Sequence, residues 1–452
     1  MDESQLEGGD SAAEKVQMTF KAVIDGEDTE TKTVLGGTLG DDLRKVLWQP
    51  GDKIGVSAET VSNWGNEFSD VSEFTANITS RAESSEFKGG VELGQRYKAF
   101  YPYQAETLRD SSNIFIFNLP AEQKYVNGSF DPNAAPMVAS AGAGETFRFR
   151  NLCGVLALQV KGEGAVKSIT FKPVTDPGNV VLVAGDYEVN PFFEDAPVIS
   201  YHGKGSKSVT LSCDIPVELD PEQATPFYIV LPPAVYDSFT VLITLEDGSV
   251  MMKEGKNPLT VKRADVVAAG ALTYVETLPI DLSSHGTANS YLVSEAGLYG
   301  FDASVIGNGE YGIIEGVGFH TDDPSISPAK IDVLWQDRSD VIDGLTYDEP
   351  HRRVIFHATG REGNALIAAR DAEDNIIWSW HIWSTDRPEE QIYVNSTDEY
   401  PMLDRNLGAI ATYGETEEIN GFVYQWGRKD PIRTDFYSQE SNMTSIENAI
   451  SN

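Results

Sequence analysis

Val16-Gln17-Met18-Thr19-Phe20-Lys21-Ala22-Val23-Ile24 is the stretch on which the fold turns. Apolar Val16, Met18, Phe20, Ala22 and Ile24 alternate with Gln17, Thr19 and Lys21. A two-residue period sets one face of a β-strand against a core and the other toward water. Residues 1–15 ahead of it are acidic and glycine-bearing, which predicts a flexible leader. A strand at the start of a domain can be withdrawn and replaced by a strand of another molecule with the same alternation. The plain alternative is a permanent strand.

Working outward, short alternating runs separated by turn clusters recur, and few segments carry a helical period. This predicts an all-β chain: tandem antiparallel β-sandwich domains followed by β-rich C-terminal modules. A first domain is expected over 16–150. It holds Val46-Leu47-Trp48, the turn Gln49-Pro50-Gly51-Asp52, then Lys53-Ile54-Gly55-Val56, Tyr97 to Tyr103 and Ile114 to Phe117. A second is expected over 151–280. There Leu156, Leu158 and Val160 face one way, and Phe239, Val241, Ile243 and Leu245 lead into Asp247-Gly248. Asp-Gly predicts a hairpin with a type I′ turn, returning through Ser249 to Met252.

A third module is expected over 281–388. Ile331, Val333 and Trp335 mark one strand face and Val354, Phe356 and Ala358 another. Ala365 to Arg370 and Ile376 to Trp383 read as paired strands around 371–375. Residues 389–452, short, aromatic and less regular, read as an incomplete or an appended module.

Composition narrows the function. Of 452 residues 40% are hydrophobic, with 18 Tyr, 20 Phe and 7 Trp, too many for a disordered chain. The Gly and Pro residues punctuate turns without a repeat, which excludes a collagen-like chain. Acidic residues number 70 against 34 basic, a net charge of −36. That charge repels phosphate backbones and anionic lipid, so nucleic acid and membrane surfaces are poor partners. No segment approaches the roughly 18 apolar residues of a membrane helix. Cys153 and Cys213 are too few for a disulfide scaffold; Cys213, in phase with Val209, Leu211 and Ile215, suits a small core residue, and a single bridge stays open.

Chemistry-bearing motifs are sparse. Gly307 to Gly312 matches G-x-G-x-x-G, but Ile313-Ile314-Glu315-Gly316 follows where a dinucleotide site needs a helix, so a glycine-rich loop between strands is expected. The six histidines show no metal-ligand spacing, and neither a cofactor nor a metal site is expected. Asp371, Asp374 and Asn375 suit a polar hairpin turn better than a calcium loop. Trp378, Trp380 and Trp383 are the tempting binding residues, since aromatic faces stack on sugar rings. Alternation puts Ile376, Trp378, Trp380 and Ile382 on a core face and leaves Trp383 as the candidate for exposure.

Several of these runs, taken in order, resemble the fimbrillin-like surface proteins of Bacteroidales type V pili. They are Met18 to Ala22, Thr31-Lys32-Thr33, Trp48-Gln49-Pro50-Gly51-Asp52-Lys53-Ile54, Tyr101-Pro102-Tyr103 and Asn151-Leu152-Cys153-Gly154. Asn289 to Val293, Gly363-Asn364-Ala365 and Trp378 to Trp383 resemble a C-terminal module of longer members. Leu403-Asp404-Arg405-Asn406-Leu407-Gly408-Ala409 and Tyr424 to Pro431 resemble a further appended module.

The resemblance implies export as an outer-membrane lipoprotein, processing at the cell surface, and assembly with other pilus subunits through a donor strand. Asp2-Glu3-Ser4 resembles the acidic leader that follows a lipidated cysteine, a cysteine not found here. Membrane contact is expected only through such an N-terminal lipid. Lys32, Arg44 and Lys45 stand where processing would free the first strand. The expected role is structural or adhesive, without catalysis, in a pilus stalk or tip. The alternative is a glycan-binding surface lipoprotein, with Trp383 or Trp426 stacking on host or bacterial surface sugars.

Overall fold

Strand follows strand through the computed structural model, which describes residues 15–24, 47–62, 65–105, 109–111, 114–173, 181–193, 195–310, 312–314, 319–321, 323–338, 340–395, 397–414, 416–422 and 429–430. Among them the helical segments are one 3₁₀ turn, Pro132–Ala134, and one helical turn, Thr416–Ile419. The expected all-β class is what folds. The chain up to Ile243, with Lys253–Val275, makes one unit; Thr244–Met252 and the chain from Glu276 on make a second.

In the first unit, Val16–Ile24 lies inside a sheet. It pairs antiparallel with Ser84–Val91 on one side and parallel with Phe147–Asn151 on the other. The sheet continues through Met137–Gly142 to Arg96–Tyr101, which pairs with Lys53–Ser62, and that strand leads back through Ser72–Ala76 to Ser84–Val91. The two layers of this sandwich are thus one sheet closed on itself, which leaves few edges unpaired. Phe20, Trp48, Ile54, Phe74, Phe87, Tyr97, Phe147 and Phe149 fill its interior.

The Trp48 to Ile54 run shows why that string folds as it does. Pro50 and Gly51 take the central positions of a tight turn in which Asp52 N–H donates to Gln49 O at 3.2 Å. Gly51 has φ +88°, the left-handed value that a type II turn demands after proline. The Asp52 carboxylate accepts from Gln49 N–H at 2.7 Å and from the Tyr101 hydroxyl at 3.2 Å. Trp48 is fully buried and meets Phe87, Tyr101 and Phe149 edge-on. Met18 to Ala22, Trp48 to Ile54 and Tyr101 therefore meet in one core.

A second core in this unit centres on Phe115, Phe117, Leu152, Val155, Tyr187 and Tyr228. Gly154–Lys161 pairs with Thr225–Leu231 antiparallel and with Val266–Thr273 parallel. A Cβ on Gly154 would lie 2.2 Å from Lys262 O, so only glycine admits that approach. Three strands from before residue 150 join this part, Arg109–Ser111 by pairing with Ile114–Leu119. Ile114–Leu119 pairs with Ala184–Val189, and Glu122–Lys124 with Val209–Glu218. Sheets here cross the expected 150/151 boundary because edge amides seek whichever strand lies alongside.

Two sequence expectations are corrected. The Asp247-Gly248 hairpin is not closed by a type I′ turn. Of the two, only Gly248 is left-handed, at φ +88°. Gly248 N–H donates to Leu245 O at 3.2 Å and Leu245 N–H to Ser249 O at 2.9 Å, a longer loop with a glycine bulge. On Val209–Glu218, Val209, Leu211 and Cys213 are buried but Ile215 is 82% exposed, because the inward alternation ends at Cys213. Both cysteines are free thiols, buried separately.

The second unit contains a four-on-four sandwich. One sheet runs Ile280–Asp281, Gly297–Asp302, Arg353–Ala358, Ile342–Asp348; the other runs Ser290–Val293, Ile376–Ser384, Gly363–Arg370, Lys330–Gln336. Tyr291, Phe301, Phe356, Ile367, Trp380 and Ile382 lie between them. Gly363–Arg370 and Ile376–Ser384 pair around the polar loop as the sequence predicts, and Asp371 binds that loop together by accepting from the N–H groups of Glu373 and Asn375.

Candidate functional site

The exchangeable strand is the first candidate site, and its side chains sort by burial. Phe20 and Ala22 are buried, Met18 and Ile24 half-buried, while Gln17, Thr19 and Lys21 face water. Phe20 sits within ring contact of Phe74, Tyr97 and Phe147, at centroid distances of 5.4, 4.9 and 5.0 Å. The Tyr97 hydroxyl reaches Met18 Sδ at 3.6 Å. Val16 is a correction: it is 40% exposed and seals no core. Parallel pairing to Phe147–Phe149 covers only Ala22–Ile24, so the N-terminal half of the strand has a neighbour on one side alone. Lys32, Arg44 and Lys45, the candidate processing positions, lie outside the described residues.

Trp383 is the second correction. Expected to be an exposed sugar platform, it is 4% exposed, and its indole N–H donates to Ala409 O at 2.9 Å. Strand alternation does send Trp380 and Ile382 into the sandwich, as expected, but the opposite face of Ile376–Ser384 is covered too. Residues of the Leu403 to Ala409 run do the covering. Ala409 and Ile410 are buried against it, and Phe422 stands edge-on to Trp335 and His381. Trp426, the other stacking candidate, lies outside the described residues.

Beneath that cover runs a buried polar chain that the sequence did not announce. Asn364 donates from its backbone and side chain to the Asp337 carboxylate, both at 2.7 Å, and from the side chain to Gly408 O at 2.9 Å. Its amide nitrogen so engaged, Asn364 turns its oxygen to His381 Nε2 at 2.8 Å. Nε2 therefore carries the imidazole proton, and Nδ1 accepts from the Ser290 hydroxyl at 2.8 Å. Burial drives the His381 pKa down to about 4, so the ring is neutral.

Arg405 fixes the covering segment from its other end. Its guanidinium bonds Asp404 at 2.8 Å, Asp386 by a shorter contact, and Thr385 Oγ1 at 3.2 Å. It holds both carboxylates below their ordinary range. These motif residues act as a clip, since every partner is another part of the same unit. The sequence signal for them is the polar-glycine composition of the run, which suits a close-packed corner.

The remaining candidates do no visible chemistry. Gly307 and Gly309 are left-handed loop residues, with Gly309 N–H returning to Ile306 O at 3.0 Å, and no helix starts there. Among the described residues no cluster of three or more metal-binding side chains occurs. Burial pushes the Cys213 thiol up to about 11 and that of Cys153 higher still, so neither is a nucleophile at neutral pH.

No family model matches the sequence, and no curated protein is similar to it at a significant level. Solved structures with some likeness include proteins of Bacteroides and Parabacteroides species. One is described as a candidate cell adhesion protein from Bacteroides uniformis, at 15% identity and a TM-score of 0.30 over 55% of this chain and 85% of that one. A fimbrial protein from Bacteroides ovatus aligns at 15% identity and a TM-score of 0.25, over 58% of this chain and 50% of its own. A fimbrial assembly protein from Parabacteroides distasonis aligns at 10% identity and a TM-score of 0.28, over 56% and 90%.

Proposed function

We propose that this chain is a structural and adhesive cell-surface protein, a stalk or tip subunit of a pilus that joins its neighbours by exchanging the strand Val16–Ile24. The surface setting, with export and an N-terminal lipid, follows from the sequence resemblance. The physical support is the strand's position: it is the first described element, yet it lies within the sheet and supplies Phe20 and Ala22 to the core.

Withdrawing it leaves Ser84–Val91 and part of Phe147–Asn151 with unpaired amides beside an open apolar slot. Burying Phe20 alone is worth roughly 1.5–3 kcal/mol. Met18, Ala22, Ile24 and the restored ladder add to that, against domain stabilities of about 5–15 kcal/mol. A strand of matching alternation from another subunit would therefore bind the slot firmly. A cut between Ile24 and Leu47 would be the release step.

The test uses a chain lacking residues 1–25 and a synthetic peptide of residues 15–24. The truncated chain is expected to melt at lower temperature and to recover on adding the peptide, but not a peptide carrying Phe20→Asp. A truncated chain that melts like the full one and ignores the peptide refutes strand exchange. N-terminal sequencing of protein taken from intact cells then shows whether the cut is made.

A further inference from the structure

We propose that the second unit carries a binding cleft for a neutral saccharide, built around Trp378 and not around the two tryptophans the sequence favours. A cleft of about 370 Å³ is lined by Trp378, Thr287, Asn289, Ile306, Asn308 and Glu310, with two small neighbours. That volume falls within the ordinary range of small-ligand sites, about 300–1,000 Å³.

The fold brings these residues together from three segments. Trp378 lies near the start of Ile376–Ser384, where it is half-buried and packs in part against the sandwich core. Residues 287–289 enter the parallel strand Ser290–Val293, and Asn289 O accepts from His381 N–H at 2.8 Å, which holds them beside Ile376–Ser384. The loop at 306–310 is pinned by Ile306 N–H to Pro324 O at 2.8 Å and by the Val305–Ser325 bridge. The glycine-rich run that fits no dinucleotide thereby forms one wall.

A sugar ring offers a C–H face and a rim of hydroxyls, and the lining answers both. The Trp378 Nε1 is buried, so the exposed part of the side chain is carbon surface suited to a C–H face. Lys429 stands over one face of the ring, with Nζ 4.3 Å from its centroid, and is not among the described residues that line the cleft. Asn308 Oδ1 accepts from Glu310 N–H at 3.2 Å, and the amide nitrogen is the donor end of that side chain. Thr287, Asn289 and the exposed Glu310 carboxylate supply further donors and acceptors. Among the described residues Glu310 is the single charged one lining the cleft, and the chain carries −36 overall, so a phosphorylated or acidic sugar is disfavoured.

The proposal is independent of strand exchange, and either can fail alone. Ligand-observed NMR on the full chain, with methyl glucoside, methyl galactoside, N-acetylglucosamine and cellobiose as neutral probes and glucuronate as the acidic one, tests it. Saturable binding of at least one neutral probe is expected, with glucuronate weaker than methyl glucoside. Trp378→Ala and Asn308→Ala should each weaken binding roughly tenfold or more. Asn308→Ala sits on an exposed loop and keeps the wild-type melting temperature, which separates lost binding from lost folding. The proposal is overturned if no neutral probe binds at tens of millimolar, if glucuronate binds as well as methyl glucoside, or if Asn308→Ala binds as the wild type does.

Discussion

His381 holds its proton on Nε2 because Asn364 can offer it only an oxygen, and Asn364 is constrained by Asp337 and Gly408. With a pKa near 4 in the folded chain against about 6.5 when exposed, the imidazole is neutral in the native state throughout that window. Between those values the unfolded chain takes up a proton that the folded chain refuses. Stability is therefore full above about pH 6.5 and declines as pH falls toward 4, by an amount on the order of 3 kcal/mol from this residue. Urea unfolding of the wild type and of His381→Gln at a series of pH values checks this. The gap between the two should narrow or reverse in acid, and a gap independent of pH would refute the assignment. In the sequence this histidine is one of six scattered along the chain, with no spacing that marks it. Its partners are 17 and 91 residues away, so only the folded chain could pair them.

Val16–Ile24 was legible as an element because a strand's period is local and needs no knowledge of its neighbours. What alternation does not tell is how far the neighbours extend. Val16 has the right phase and is exposed all the same, since the sheet on that side stops short of it. Phe20 is the position where pattern and packing agree, and Phe20→Ala should cost about 3–5 kcal/mol through the cavity left among Phe74, Tyr97 and Phe147. Denaturant unfolding of the first unit's aromatic signal would measure it, and a loss under about 1 kcal/mol would mean the strand does not complete that core. Ile376–Ser384 shows the converse. Its alternation correctly assigned Trp380 to the interior, but Trp383, the candidate for exposure, is covered by residues from the Leu403 to Ala409 run folded back over it.

Across the whole molecule, charge is the property with the largest reach. The 70 acidic side chains outnumber the 34 basic ones by 36. Their mutual repulsion opposes the compact state and is screened within a Debye length of about 10 Å at 0.1 M salt. Raising sodium chloride from about 20 to about 300 mM should therefore raise the melting temperature by several degrees. A fall on adding salt would mean that the exposed ion pairs, such as Lys53–Glu73, outweigh the repulsion.

Class, charge and the positions of strands such as Val16–Ile24, Phe239–Leu245 and Ile376–Ser384 were settled by the sequence alone, because burial period, turn chemistry and net charge are written in neighbouring residues. The type II turn at Pro50-Gly51 is local in the same way. The closure of the first sheet, the use of Ile114–Leu119 beyond residue 150, the concealment of Trp383 and the cleft at Trp378 were decided only by tertiary structure. Each depends on which distant segment lies alongside, and hydrogen-bonding edges and apolar faces choose their partners by proximity in the folded chain, which alternation along the sequence cannot encode.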